Sequence, residues 1–158
     1  MTKKILMVCM GNICRSPIAE AVMRKALQRR GFDKEWLVDS AAMVGYHSGS
    51  LPEERALNVL QQHGIHYDKE ARVINSQDFQ ECDYIFGMDM DNVAELRKIA
   101  PSECKAKIML LGDFGLPETE KIIHDPYYFL GEAPFEEVYD KCAVACKAFI
   151  EDIVMKAQ

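Results

Sequence analysis

Short apolar runs, each followed by a longer stretch of helical character, recur along this chain. Lys4 to Val8 is the first, entering a Gly/Asn-containing turn, and it predicts a fully buried strand. Ser16-Pro17 then signals a helix start: serine can cap orphan amides, proline suits the first helical position, and a helix-favouring stretch runs from Ile18 to Arg30 before Gly31 closes it. Trp36 to Ser40 reads as a second strand and Tyr46 to Pro52 as an irregular loop. Glu53 to His63 reads as a helix stopped by Gly64. Tyr84 to Met88 is a third apolar run, followed by a helix from about Met90 to Ile99 that ends before Pro101. Lys107 to Leu111 is a fourth strand. A long loop, Gly112 to Pro134, precedes a closing helix from Phe135 to Met155 whose apolar stripe is Val138, Cys142, Ala145, Phe149 and Ile153.

Apolar strands alternating with helices predict an α/β fold: a central parallel sheet with helices on both faces. The 158 residues are enough for one well-cored domain spanning 1–158 and short for two. Ligands in such folds sit beyond the carboxyl ends of the strands. Two segments therefore matter most: the turn after the first strand and the long loop after the fourth.

Composition narrows the chemistry. At 49% hydrophobic and 28% charged, the chain reads as an ordinary globular protein. A formal net charge of −6 speaks against nucleic acid as a partner, and no dense Lys/Arg block suggests a membrane surface. The longest apolar run, Ile5 to Met10, is far too short to span a bilayer, and no cleavage pattern follows the basic start, so a cytoplasmic protein is expected. Six cysteines without a secretory signal fit a reducing compartment. None forms a C-x-x-C pair and no Cys/His grouping has zinc spacing, so no metal or cofactor is called for. Cys82, Cys104, Cys142 and Cys146 read as packing residues.

The turn after the first strand reads Cys9-Met10-Gly11-Asn12-Ile13-Cys14-Arg15-Ser16. Between a buried strand and a helix N-terminus, unpaired amides converge and the helix dipole adds positive potential, so such a place binds oxyanions. Gly11 and Asn12 tolerate the unusual backbone angles of a cradle. Arg15 can add two parallel charge-assisted bonds to a phosphoryl group. The field that binds a phosphate dianion also favours a thiolate at Cys9, and a thiolate aimed at phosphorus is a nucleophile for phosphoryl transfer. Ser16 can donate to the sulfur and help it leave. Cys14 reads either as a small loop residue or as a redox partner that condenses with oxidised Cys9.

Val8 to Ala21, Val-Cys-Met-Gly-Asn-Ile-Cys-Arg-Ser-Pro-Ile-Ala-Glu-Ala, closely resembles the signature of low-molecular-weight protein tyrosine phosphatases. The resemblance continues through Val38-Asp39-Ser40-Ala41-Ala42, His63-Gly64-Ile65, Ala71-Arg72, Asp83-Tyr84-Ile85, Met88-Asp89 and Asp125-Pro126-Tyr127-Tyr128, covering essentially the whole chain. It implies a four-stranded parallel sheet and hydrolysis of phosphotyrosine and other aryl phosphomonoesters through a phosphocysteine. Among the 25 Asp and Glu residues it singles out Asp125 as general acid. It further implies phosphotyrosine proteins as substrates, inhibition by phosphate or vanadate, and a monomer or weak dimer.

Supporting roles follow from the same resemblance. Asn12 would bond to Ser40, Asp89 would orient Arg15 or merely cap a helix, and Tyr46, on the loop with His47 and Ser50, would flank the substrate ring. Tyr127 and Tyr128 match a pair beside the site that can be phosphorylated. Where mammalian members carry a His, this chain has Lys69, which leaves the network beneath the loop open. Arsenate reductases share the fold and the loop, but need further cysteines where this chain offers only Cys82, near Gly87, Met88 and Asp89. A silent phosphotyrosine-binding module would lack its nucleophile or its acid, yet Cys9, Arg15, Ser16 and Asp125 are all present.

Overall fold

Strand β1, Lys3–Cys9, carries Ile5, Leu6, Met7 and Val8 in succession, and all four are wholly buried in a computed structural model that describes residues 2–157. A strand apolar on both faces must lie inside a sheet covered on both sides. It does. β1 pairs in parallel with β2, Trp36–Ala42, on one edge and with β3, Tyr84–Gly87, on the other; β4, Lys107–Leu110, extends the sheet beyond β3. The order is β2-β1-β3-β4. The register sets Ile5 opposite both Val38 and Tyr84, and Cys9 opposite Ala42.

Alternation along β1 divides the core. Ile5, Met7 and Cys9 face the larger cluster, built with α1 (Arg15–Arg29), α2 (Glu54–Gln62) and α5 (Ala133–Phe149). Leu6 and Val8 face a smaller one containing Phe79 of α3 (Ser76–Glu81) and Leu96 of α4 (Met90–Ile99). Helices thus cover both faces, as the alternation of apolar runs predicts. In the larger cluster Phe149 meets Trp36, Phe86 and Phe114 edge-on, with centroids 5.2–5.9 Å apart, a favoured aromatic geometry.

Three local expectations need correction. Helix α1 begins at Arg15 rather than behind a Ser16 cap, because the Ser16 side chain is engaged elsewhere, as described below. Helix α3 was not expected; its six residues are too few for an apolar period, although Asn75 and Asp78 form a capping box. The closing helix does not run regularly to Met155: after Phe149 it loosens into a wider turn over Ile150–Val154.

From β1 the chain crosses to β2 on one side, and β3 returns on the other. The crevice between such divergent connections lies beyond the strand ends at Cys9 and Gly87. Among the described residues, no helix is long and apolar enough to cross a membrane.

Candidate active site

Residues 10 to 14 wrap around the end of β1 before α1 begins. Within that wrap the Ser16 hydroxyl lies 3.1 Å from Cys9 Sγ, and the Ser16 amide donates to the same sulfur at 3.4 Å. Both contacts favour a sulfur that carries negative charge. Among the described residues, the amides of Gly11, Asn12, Ile13 and Cys14 meet no acceptor within the protein and are free to donate to an anion.

Asn12 takes the left-handed conformation, with φ 58°. Its side chain holds the turn by donating to Ser16 Oγ at 2.8 Å and Ser40 Oγ at 3.0 Å, and by accepting from the Arg72 amide at 3.1 Å. Gly11 has no positive φ; its lack of a side chain serves a different need. A Cβ there would stand 2.9 Å from His47 Cδ2, so only glycine lets the His47 ring close over the loop.

Arg15 is 3% exposed and reaches across the strand ends. Its Nη1 donates to Asp89 Oδ2 at 2.6 Å and to the Ile123 carbonyl at 3.0 Å, while Nη2 lies 3.9 Å from Asp125 Oδ2. One edge of the guanidinium is therefore anchored and the other is left for an oxyanion. Burial opposes its charge, but Cys9, Asp89 and Asp125 outweigh burial and raise its pKa further. Asp89 divides its work: Oδ1 caps α4 at the Asn92 amide, 2.8 Å away, and Oδ2 holds Arg15. The two roles weighed for it from sequence occur together.

Beneath the loop lies a charged network that local sequence did not announce. Glu20, wholly buried on α1, accepts from Ser40 Oγ at 2.6 Å, Tyr67 OH at 2.8 Å, Lys69 Nζ at 2.9 Å and Arg24. Lys69 also pairs with Asp39. Burial acts to raise the Asp39 carboxyl, but Lys69, the Ser40 amide and Arg72 together hold it down at about 2. Lys69 thus answers the question left by the missing His, while His66 is 88% exposed and stands apart. Because Glu20 holds Ser40, and Ser40 holds Asn12, the network supports the loop that curls around Cys9. Lys69→Met removes a donor from a buried carboxylate and is expected to cost about 1.5–3 kcal/mol in denaturant unfolding.

The loop opens into a cleft of about 300 Å³. Cys9, Met10, Gly11, Ile13, Cys14 and Arg15 form its floor, and Val44, Tyr46, His47, Asp125, Tyr127 and Tyr128 form its walls. Tyr46 is 87% exposed and Tyr128 84% exposed, so two aromatic rings stand at the mouth, Tyr128 edge-on to Tyr127 with centroids 5.1 Å apart. Asp125 faces the floor from the long loop, its Oδ1 accepting from the Tyr127 amide at 3.1 Å. Sequence reading did not single out Val44.

The remaining thiols stand aside from this cleft. All six cysteines are free. Burial pushes Cys82 and Cys142 up to about 12 and raises Cys146 well above the ordinary thiol value. Cys82 packs in the smaller cluster with Leu6 and Val8, so it offers no mobile relay thiol of the kind a reductase needs. Among the described residues, no group of three or more His, Cys, Asp or Glu side chains is placed to hold a metal ion.

Residues 4–158 match the family model for low molecular weight phosphotyrosine protein phosphatase. The chain is 54% identical to low molecular weight phosphotyrosine protein phosphatase 2 of Drosophila melanogaster, over 96% of this chain and 93% of that protein. It is 45% identical to the low molecular weight phosphotyrosine protein phosphatase of Homo sapiens, over 95% of each. Its fold superposes on the protein tyrosine phosphatase from Entamoeba histolytica with a TM-score of 0.92 at 38% identity, covering 99% of this chain and 100% of that one.

Proposed function

The chain belongs to the low-molecular-weight phosphotyrosine protein phosphatase family, and on that footing we propose that it hydrolyses protein phosphotyrosine and other aryl phosphomonoesters through a phosphocysteine at Cys9. One observation carries the reading. A sulfur with two donors from Ser16, a half-anchored arginine and a carboxyl group share a single cleft at the strand ends.

In the first step the phosphoryl group lies on the loop amides and the free edge of Arg15. Cys9 Sγ attacks phosphorus, the bond to the tyrosyl oxygen breaks, and Asp125 gives that oxygen its proton. A phenolate has a pKa near 10, so protonation matters to its departure. In the second step water attacks the phosphorus of the phosphocysteine and passes a proton to Asp125. The sulfur–phosphorus bond breaks and Ser16 stabilises the returning thiolate. The amides and Arg15 bear the charge spread over the equatorial oxygens in both steps. Tyr46 and Tyr128 stand where they can flank the aryl ring, and Tyr127 lies deeper beside Asp125. Inorganic phosphate and vanadate compete for the same loop. The protein acts in the cytoplasm, as a monomer or weak dimer. Release of phosphate from a phosphotyrosine peptide, suppressed by vanadate, tests the assignment; an inactive wild-type chain would overturn it.

Cys14 lends the site a means of surviving oxidation. Peroxide converts the Cys9 thiolate to a sulfenic acid, and attack by Cys14 then forms a disulfide with loss of water. Burial, followed by the negative charges of Cys9 and Asp125, pushes the Cys14 thiol up, so it stays protonated in the resting site. Oxidation of Cys9 to a neutral acid removes one of those charges. Cys14→Ser is expected to recover much less activity than wild type when a thiol reductant follows mild peroxide. Equal recovery would make Cys14 a packing residue only.

A further inference from the structure

Arg55, on the first turn of α2, points away from its own helix toward the loop that bears Asp125. Its Nη1 donates to the carbonyls of Phe129 at 2.6 Å and Gly131 at 3.1 Å, and its Nη2 to the carbonyl of Tyr127 at 3.1 Å. Among the described residues, these are the only hydrogen bonds reaching residues 126 to 131 from outside the segment containing Asp125. Of that stretch only Pro126 is buried; Tyr128, Phe129 and Leu130 are 84%, 60% and 95% exposed. One guanidinium therefore ties down the part of the loop beyond Pro126, which packing leaves loose.

The path from Arg55 to the carboxyl group is short. Arg55 holds the Tyr127 carbonyl, and the Tyr127 amide holds Asp125 Oδ1. On its other side Arg55 is itself oriented. Its Nε donates to both Glu53 oxygens at 3.0 Å, and the guanidinium lies 4.4 Å over the ring of buried Phe135. Glu53 in turn donates its amide to the Ile13 carbonyl, 2.8 Å away in the phosphate loop. Two adjoining features of one helix end thus bridge the loop that carries the nucleophile and the loop that carries the acid. Planar guanidinium donors suit this task because several carbonyls are met in fixed directions at once.

We propose that Arg55 is a positioning residue for the phosphatase reaction, holding Asp125 at the distance from Cys9 that leaving-group protonation requires. This rests on Asp125 as general acid. A misplacement of about 1 Å can cost on the order of 10²-fold in rate, and the loss should fall on the step that needs the acid. A merely structural role would slow every substrate alike.

The test is Arg55→Met, which keeps an apolar stem over Phe135 and removes the donors, assayed on phenyl phosphate and on a nitrophenyl phosphate. The rate of the first, phenol-releasing step is expected to fall about 10- to 100-fold with phenyl phosphate and only about threefold with the nitrophenyl ester. Affinity for inorganic phosphate should stay within about twofold, because the amides and Arg15 are untouched. In an Asp125→Ala background, Arg55→Met should cost almost nothing more, since a misplaced acid and an absent one are the same defect. Arg55→Lys, with charge but no fork, should show the same discrimination in milder form and guards against a folding failure of the methionine variant. Equal losses for both esters, or losses that multiply with Asp125→Ala, would overturn the proposal. If Asp125→Ala itself fails to discriminate between the esters, the acid assignment falls; if it discriminates and neither Arg55 variant does, the clamp alone falls.

Discussion

Cys9→Ser is expected to lose turnover by about 10⁶-fold, the scale for removal of a covalent nucleophile, while still binding inorganic phosphate. The two outcomes separate because different atoms carry them. In the proposed mechanism phosphate is held by the loop amides and by Arg15, whose anchors are Asp89 and the Ile123 carbonyl. None of these involves the sulfur. A serine hydroxyl at the same place is not ionised at neutral pH and has no general base beside it, since the donors that favour a thiolate, the Ser16 hydroxyl and amide, take no proton. Arg15→Ala should behave differently, losing phosphate affinity and turnover together, because it removes the charge that both states use. Isothermal titration with phosphate, alongside assay of a phosphotyrosine peptide, separates the two variants. Substantial turnover by Cys9→Ser would mean that water attacks phosphorus directly.

Asp125→Ala should slow the enzyme in proportion to how badly the leaving group needs a proton. Phenyl phosphate and phosphotyrosine, with basic phenolic oxygens, should lose rate toward the upper part of the ~10²–10⁴-fold range for general acid–base catalysis. In the first, phenol-releasing step a nitrophenyl ester should lose less, because its oxygen can depart almost as the anion. In the proposed mechanism Asp125 serves again as base in the second step, so the mutant acting on the nitrophenyl ester should show a burst of phenol followed by slow hydrolysis of the phosphoenzyme. The structure supplies the competing candidate. Asp89 is the other carboxylate beside Arg15, but both its oxygens are engaged, one by Arg15 and one by the Asn92 amide. Asp125 keeps Oδ2 uncommitted at 3.9 Å from Arg15. Stopped-flow measurement of both esters decides the matter, and an equal loss for both would transfer attention to Asp89.

What could be read from the chain, and what could not, divides by the range of the interactions. The four strands are legible because each is a short apolar run, and β1 because it is apolar on both faces. Most of the helices show a start or stop signal within a few residues: Gly31 and Gly64 lie just past helix ends, both with positive φ. Six-residue α3 was missed because its signal is a cap rather than a period. Ser16-Pro17 looks like a helix cap from local preference alone, but the hydroxyl is engaged instead with a sulfur seven residues earlier. The cradle itself is local and was legible. Its supports are not: Glu20 gathers Ser40, Tyr67 and Lys69 from 20 to 49 residues away, and Arg55 reaches carbonyls 72 to 76 residues along. No periodicity encodes such pairings. Resemblance supplied Asp125 and the Asn12–Ser40 contact, yet it left Lys69 open, and only the geometry shows that an ammonium there meets the buried carboxylate.

The covalent step is the centre of this account, and the phosphoenzyme is the species to look for. Asp125→Ala, mixed with a nitrophenyl phosphate and quenched within its burst, should carry one phosphoryl group per chain. Tryptic mass spectrometry should find it on the peptide from Ile5 to Arg15, and fragmentation should assign it to Cys9 rather than Cys14. A chain that turns over the ester yet never carries phosphate, or that carries it on any residue other than Cys9, would contradict the mechanism.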